Sequence, residues 1–214
     1  MKHIKTLGLL ALAAMAVVAF VGTTSAAAST SFTTDALGKK IIETTIENHV
    51  FTTTGATTEC SNITYTGVTE GAASGGLGFT STAQKVTPKY EGCTAFGFSA
   101  TVTNTNCHYL ITPGTPGSVH ITKADPAGVP CEIHIVVNNV FAKCSVTVTG
   151  DQTISGVTTT NGAANDLVVT INSSGIKSHV TESSGLCPLT VGTHEATYKG
   201  KSTVQAEGAK LAVD

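Results

Sequence analysis

The side chains of this sequence whose types could do chemistry are seven histidines, six cysteines, fourteen acids and a few serines in glycine-flanked loops. His49, His108, His120, His134, His179 and His194 lie well inside the chain, and none has the helical H-E-x-x-H spacing or the close His/Cys spacing of a zinc site. His120 stands between Val119 and Ile121, and His134 between Ile133 and Ile135, so in strands both rings point away from the apolar face. If their strands are neighbours, the two imidazoles meet on one outer surface as two metal ligands without an evident third. Cys107 beside His108 resembles a thiol and its base, but adjacent strand residues face opposite sides, which favours a disulfide for Cys107. No cysteines have redox-type C-x-x-C spacing.

Ser74, between Ala73 and Gly75, and Ser184, between Ser183 and Gly185, read as turns and not as the G-x-S-x-G elbow of a nucleophile. Glycosidase chemistry needs two carboxyls about 5 to 10 Å apart. Glu132, Asp151, Asp166, Glu182 and Glu195 are far apart in sequence, so only the fold could pair them. Asp125 and Asp166 are the loop acids best suited to calcium, although neither lies in a D-x-D-like loop. With no tryptophan, the rings left for stacking on a sugar are Tyr65, Tyr90, Tyr109 and Tyr198, while Phe96 and Phe98 share a face around Gly97 and read as core. Asn62 and Asn172 open N-x-[ST] triplets, informative only in a eukaryotic secreted protein. Catalytic, cofactor and metal residues are therefore assigned as none.

The elements that must position these residues are strands. From Val50 onward the apolar period is two, and segments near 62–67, 85–90, 97–104, 108–112, 118–123, 132–137, 143–149, 156–160, 167–172, 176–181 and 196–205 read as strands. Turn chemistry separates them at 113–117, 125–128, 161–162 and 173–175, and Asn138 with Asn139 reads as a further hairpin turn. The glycine-rich stretch 70–78 reads as a mobile loop. Many short strands without βαβ alternation predict an all-β fold, an antiparallel β-sandwich or partly open barrel stabilised by disulfides. Residues 29–46 lack clear alternation and are expected to be a flexible lead-in, with a short helix possible over 35–47; residues 47–214 are expected to form a single β-rich extracellular domain.

The N-terminus carries Lys2 and Lys5, then an apolar run from Leu7 to Val21, then small residues from Ser25 to Ala28, the pattern of a signal peptide over residues 1–28. The run is short of the roughly 20 residues that span a bilayer, so no membrane span is expected after cleavage. Loss of the two leader lysines from 12 leaves 10 against 14 acids, a net charge of −4. Every basic residue is lysine, and without arginine's bidentate fork a nucleic-acid partner is not expected. Charged residues are only 12% of the chain, so the surface is hydroxyl-rich rather than ionic.

All six cysteines, Cys60, Cys93, Cys107, Cys131, Cys144 and Cys187, follow the leader, and an even number in an exported chain implies three bridges among 15 possible pairings. The preferred set is Cys60–Cys93, Cys131–Cys144 across a turn at Asn138 and Asn139, and Cys107–Cys187 by elimination.

At Tyr90, Glu91, Gly92, Cys93, Thr94, Ala95, Phe96, Gly97 and Phe98, again from Cys144 to Val148 and from Gly156 to Thr159, and at Gly185, Leu186, Cys187 and Pro188, the chain resembles a family of uncharacterised exported six-cysteine β-rich proteins of high-GC Gram-positive soil bacteria. The likeness covers most of the chain beyond the leader. It implies a bacterial extracellular location and supplies no activity. Members tend to carry Cys-Pro-Ala-Gly where this chain has Asp125, Pro126, Ala127 and Gly128, with the cysteine displaced here to Cys131.

These readings lead to one expectation and one alternative. The expectation is a secreted or cell-surface, non-enzymatic β-scaffold with a structural or binding role towards cell-envelope material or another extracellular protein, requiring no cofactor. The alternative is a secreted hydrolase or carbohydrate-active enzyme whose acids converge only in the fold.

Overall fold

The computed structural model describes residues 31–74, 78–124 and 128–214, so the leader, the centre of the 125–128 turn with Asp125, and part of the 70–78 loop lie outside the described residues. Within them the chain forms sixteen strands and no helix. In order these are β1 (Phe32–Thr34), β2 (Ile41–Thr53), β3 (Ala56–Gly67), β4 (Ala72–Ala73), β5 (Phe79–Ser81), β6 (Gln84–Ala95), β7 (Phe98–Ser99) and β8 (Thr101–Thr105). They continue as β9 (Cys107–Thr112), β10 (Gly117–Lys123), β11 (Glu132–Asn138), β12 (Ala142–Thr149), β13 (Gln152–Asn161), β14 (Leu167–Gly185), β15 (Gly192–Ala206) and β16 (Leu211–Val213).

Period-two patterning builds these strands. In β9, β10 and β11, Cys107, Tyr109, Ile111, Val119, Ile121, Ile133, Ile135 and Val137 turn inward, and the polar residues between them face out. Each such apolar side chain removed from water stabilises the fold by about 1.5 to 3 kcal/mol.

Eight strands close into an antiparallel ring in the order β13-β10-β9-β6-β3-β2-β15-β14, with β14 pairing back onto β13. The architecture is a closed barrel, which corrects the expected sandwich or partly open barrel. Closure depends on β14, a 19-residue strand whose first part pairs with β13 and whose second part pairs with β12. Residues 173–175, expected to be a turn between two strands, are instead a β-bulge within this one strand. Gly156 lets β13 part from β14 at that level: its φ is 79°, and a Cβ there would collide with the Asn172 carbonyl.

Beyond this fork, β12, β11 and β8 form a three-stranded wing whose last strand returns to lie beside β6. There the Asn104 side-chain amide donates to the Pro88 carbonyl at 3.1 Å, at a residue that has no N–H to offer a ladder. Barrel and wing share one apolar core. A second, small sheet of order β16-β1-β5-β4 packs at the end marked by the β13–β14 hairpin. Asn161 ties it down, donating to the Val213 carbonyl at 2.9 Å and accepting from the Val213 N–H at 2.8 Å.

The expected hairpins at 138–139 and 161–162 are present. The expected lead-in is corrected: from residue 32 it supplies β1 and the start of β2, with no helix over 35–47. Alternation was masked there because Ile42 and Ile46 lie on the outer face, opposite the buried Ile41 and Glu43.

Cys60–Cys93 is present, joining directly opposed residues of β3 and β6. The other two expected pairs are corrected to Cys107–Cys131 and Cys144–Cys187. The β11–β12 register sets Val137, not Cys131, opposite Cys144, while Cys131 lies over Gly150. Cys131 is thereby free to join the wing to β9, and Cys144 to fasten β12 to the segment between β14 and β15. Three disulfides suit an oxidising environment.

Candidate functional site

The densest polar chemistry lies inside the barrel, where β2, β3, β6, β9 and β15 bring together His49, Glu43, Ser202 and all four tyrosines. His49 is only 2% exposed. Its ring occupies space that exists because residue 200 is glycine: a Cβ on Gly200 would collide with Nδ1, Cγ and Cε1 of the imidazole. The β2–β15 register shifts on both sides of Lys201, and these bulges turn Ser202 inward beneath the ring. Nδ1 of His49 lies 2.7 Å from the Tyr198 hydroxyl and Nε2 lies 2.9 Å from Ser202 Oγ. On the other side of the tyrosine cluster, the Tyr90 and Tyr109 hydroxyls are 2.7 Å apart.

Burial governs how these groups titrate. Desolvation holds the His49 imidazole down to about 4, so it is neutral at pH 7. The same cause raises Tyr65, Tyr90, Tyr109 and Tyr198, with hydrogen bonding from Tyr109 and Tyr198 opposing it at Tyr90. Glu43 is raised by burial, partly offset by hydrogen bonds with Ser202 and Thr45, and its Oε2 has no hydrogen-bond partner.

Glu43, Ser202 and His49 make a continuous polar chain, but not a nucleophilic triad. Serine sits between acid and imidazole, whereas a catalytic imidazole sits between acid and serine. Ser202 is 1% exposed, so no substrate reaches its hydroxyl. A cavity of about 50 Å³ adjoins His49, Tyr90, Tyr109 and Tyr198, walled opposite by residues such as Ile121 and Ile135. That is room for a few waters, far below the roughly 300 to 1,000 Å³ of small-molecule sites.

Of the residues singled out in the sequence, His49 and the four tyrosines are gathered in this interior, where the rings are packed and not presented for stacking on a sugar; the others lie elsewhere. His120 is on β10 and His134 on β11, strands that are not neighbours, so the condition for the two imidazoles to meet is not fulfilled. His120 faces Asp151 at 3.6 Å, and His134 faces Glu132 at 3.0 Å and Thr147 at 3.2 Å. His108 contacts Thr87 at 2.6 Å, while Cys107 is buried in its disulfide. Ser184, expected in a turn, is instead paired with Lys143 near the end of β14, and Ser74 bonds the Gly78 carbonyl. Glu132, Asp151, Asp166, Glu182 and Glu195 occupy separate strands and turns, and Asp166 accepts the Ala164 N–H at 3.2 Å. No group of three potential metal ligands occurs among the described residues. Sequence reading named His49 without a partner and missed Glu43 and Ser202, because the inward period of β2 was obscured; the one signal was the even spacing of Glu43 and His49, which puts both on one face of a strand.

The second unusual region is on the surface. Where the β2–β3, β11–β12 and β14–β15 connections gather, Val140 is 89% exposed, Leu186 66%, Phe141 64% and Val191 57%. Contacts place these loops together: the Leu186 N–H donates to the Phe141 carbonyl at 2.8 Å, Gly55 lies near the Pro188 carbonyl, and Phe96 and Leu189 line one small recess. The tip is held firmly, since Asn139 Oδ1 accepts the Phe141 N–H at 3.0 Å and the Asn139 N–H donates to Ala142 O at 2.9 Å. Cys144–Cys187 braces it from beneath. No family model matches the chain, and no curated protein or solved structure matches it significantly.

Proposed function

We propose that this is an exported, non-enzymatic binding scaffold whose disulfide-braced barrel presents the 138–142 and 185–191 loops to cell-envelope material or to another extracellular protein. The observation that carries this reading is a set of large apolar side chains left in water at the apex of loops whose backbone is pinned by hydrogen bonds and a disulfide. Water alone gives no reason to hold Phe141 and Val140 so far out, whereas a partner that covers them does. A pre-ordered loop also loses little conformational entropy on binding. The leader pattern and the three bridges support an extracellular setting.

The test is retention of the exported, oxidised protein on isolated bacterial envelope fractions or on immobilised secreted proteins. Saturable retention that drops roughly tenfold in a Val140→Ser/Phe141→Ser double variant is expected. Retention that the double variant leaves unchanged overturns the assignment of these loops.

A further inference from the structure

Four segments build the Phe141 end of the molecule: residues 50–58, 94–104, 136–142 and 183–193. None contains an aspartate, glutamate, lysine, arginine or histidine. The opposite end, around the small sheet, carries Asp35, Lys39, Lys40, Asp166, Glu207, Lys210 and Asp214. Val140, Phe141, Leu186 and Val191 therefore stand in segments that carry no charge, with Lys143 across from Asn138 and Ser184 and His194 against the Thr190 carbonyl at their margin, while Val129 and Ile46 are exposed elsewhere.

From this pole we infer a partner class: a lipid bilayer surface, into whose interface Val140, Phe141, Leu186 and Val191 insert. The inference rests on the docking role proposed above for the same loops. Three observations favour lipid over a protein. The exposed side chains stand on the connections between strands and project outward, which suits a fluid apolar medium. Insertion into a medium poor in hydrogen-bond partners requires loops whose amides are already satisfied. The N–H groups of Asn139, Phe141, Leu186 and Cys187 all have intramolecular acceptors. The nearest cation, Lys143, is exposed at the base of the hairpin, where its flexible stem reaches headgroup level as the tip enters. With one lysine and a net negative chain, apolar transfer drives attachment, and neutral phosphatidylcholine suffices.

The chain has no tryptophan, so Phe141→Trp places a single fluorophore at the apex. The exported, oxidised variant, with loss of residues 1–28 checked by mass, is titrated with pure phosphatidylcholine vesicles. Flotation of the unsubstituted protein with the same vesicles is the companion measurement. A saturable blue shift is expected, with co-flotation that persists from about 0.1 M to about 1 M salt. Adding Val140→Ser and Leu186→Ser should weaken partitioning roughly tenfold or more, given the apolar area lost. Absence of both the shift and flotation, while envelope retention still depends on Val140 and Phe141, overturns the lipid assignment and leaves the docking role standing. A concentration-dependent dimer that Phe141→Ser abolishes assigns the pole to a second copy and likewise overturns it. Loss of vesicle binding together with variant-insensitive retention sinks both readings.

Discussion

The interior around His49 and the pole around Phe141 invert the usual partition of side chains. At the first, an imidazole, a carboxyl and a serine are buried together with buried and half-buried tyrosines. At the second, Val140, Phe141, Leu186 and Val191 are held out in it. Packing explains the first region, because the glycine hole at Gly200, the bulges of β15 and the hydrogen-bond partners make a fitted place for the His49 ring, Ser202 and the Tyr90, Tyr109 and Tyr198 hydroxyls. Packing does not explain the second, where the exposed atoms gain nothing from the rest of the molecule. The interior should therefore respond to substitution through stability, and the pole through binding.

The largest expected effect tests whether the pole depends on its brace. Replacing Cys144 and Cys187 with serine opens a bridge of sequence separation 43 and should cost about 4 kcal/mol in urea denaturation. Next comes Gly200→Val, which forces the His49 ring from its place and should cost about 3 kcal/mol as an overpacked core. Adding His49→Ala to that variant should recover part of the loss, since the two positions compete for one volume; strict additivity in the double-mutant cycle counts against the fitted-hole account.

Acidification probes the same region without a substitution. An unfolded histidine takes up a proton near 6.5, whereas folded His49 resists protonation down to about 4. Below pH 6.5 the unfolded state binds the extra proton, so stability falls as pH drops from 6.5 to about 4, by roughly 3 kcal/mol, and then levels off. Glu43 works in the opposite sense: its raised folded value favours the fold at low pH, an advantage lost as pH rises through that value. His49→Gln should flatten the His49 component of the stability profile, and an unchanged acid limb would mean that another group carries it. Smallest of all, Phe141→Ser should leave stability within about 0.5 kcal/mol while weakening attachment. A larger loss of stability would show that Phe141 packs in the fold after all.

Much of the strand content was legible because it depends on local alternation, as at Val119, His120 and Ile121 or Ile133, His134 and Ile135. Hairpins at Asn138 and Asn161 were legible from turn residues. The start of β2 was not, since Ile42 and Ile46 place apolar groups on both faces. The site reading fared worse: attention fell on His120 and His134, which the strand order separates, while His49 was named without its partners Tyr198 and Ser202, which lie on a strand some 150 positions away.

By itself the sequence determined that the chain is all-β, that its cysteines are matched in number for bridges, and that charge is absent from the segments forming the pole, because composition and period are local properties. Tertiary structure alone decided that the sheet closes, which cysteines meet, and that four tyrosines and one histidine share a single interior. Those outcomes depend on strand order and register, where a shift of one residue exchanges the two faces of a strand, and no neighbour in sequence records that choice.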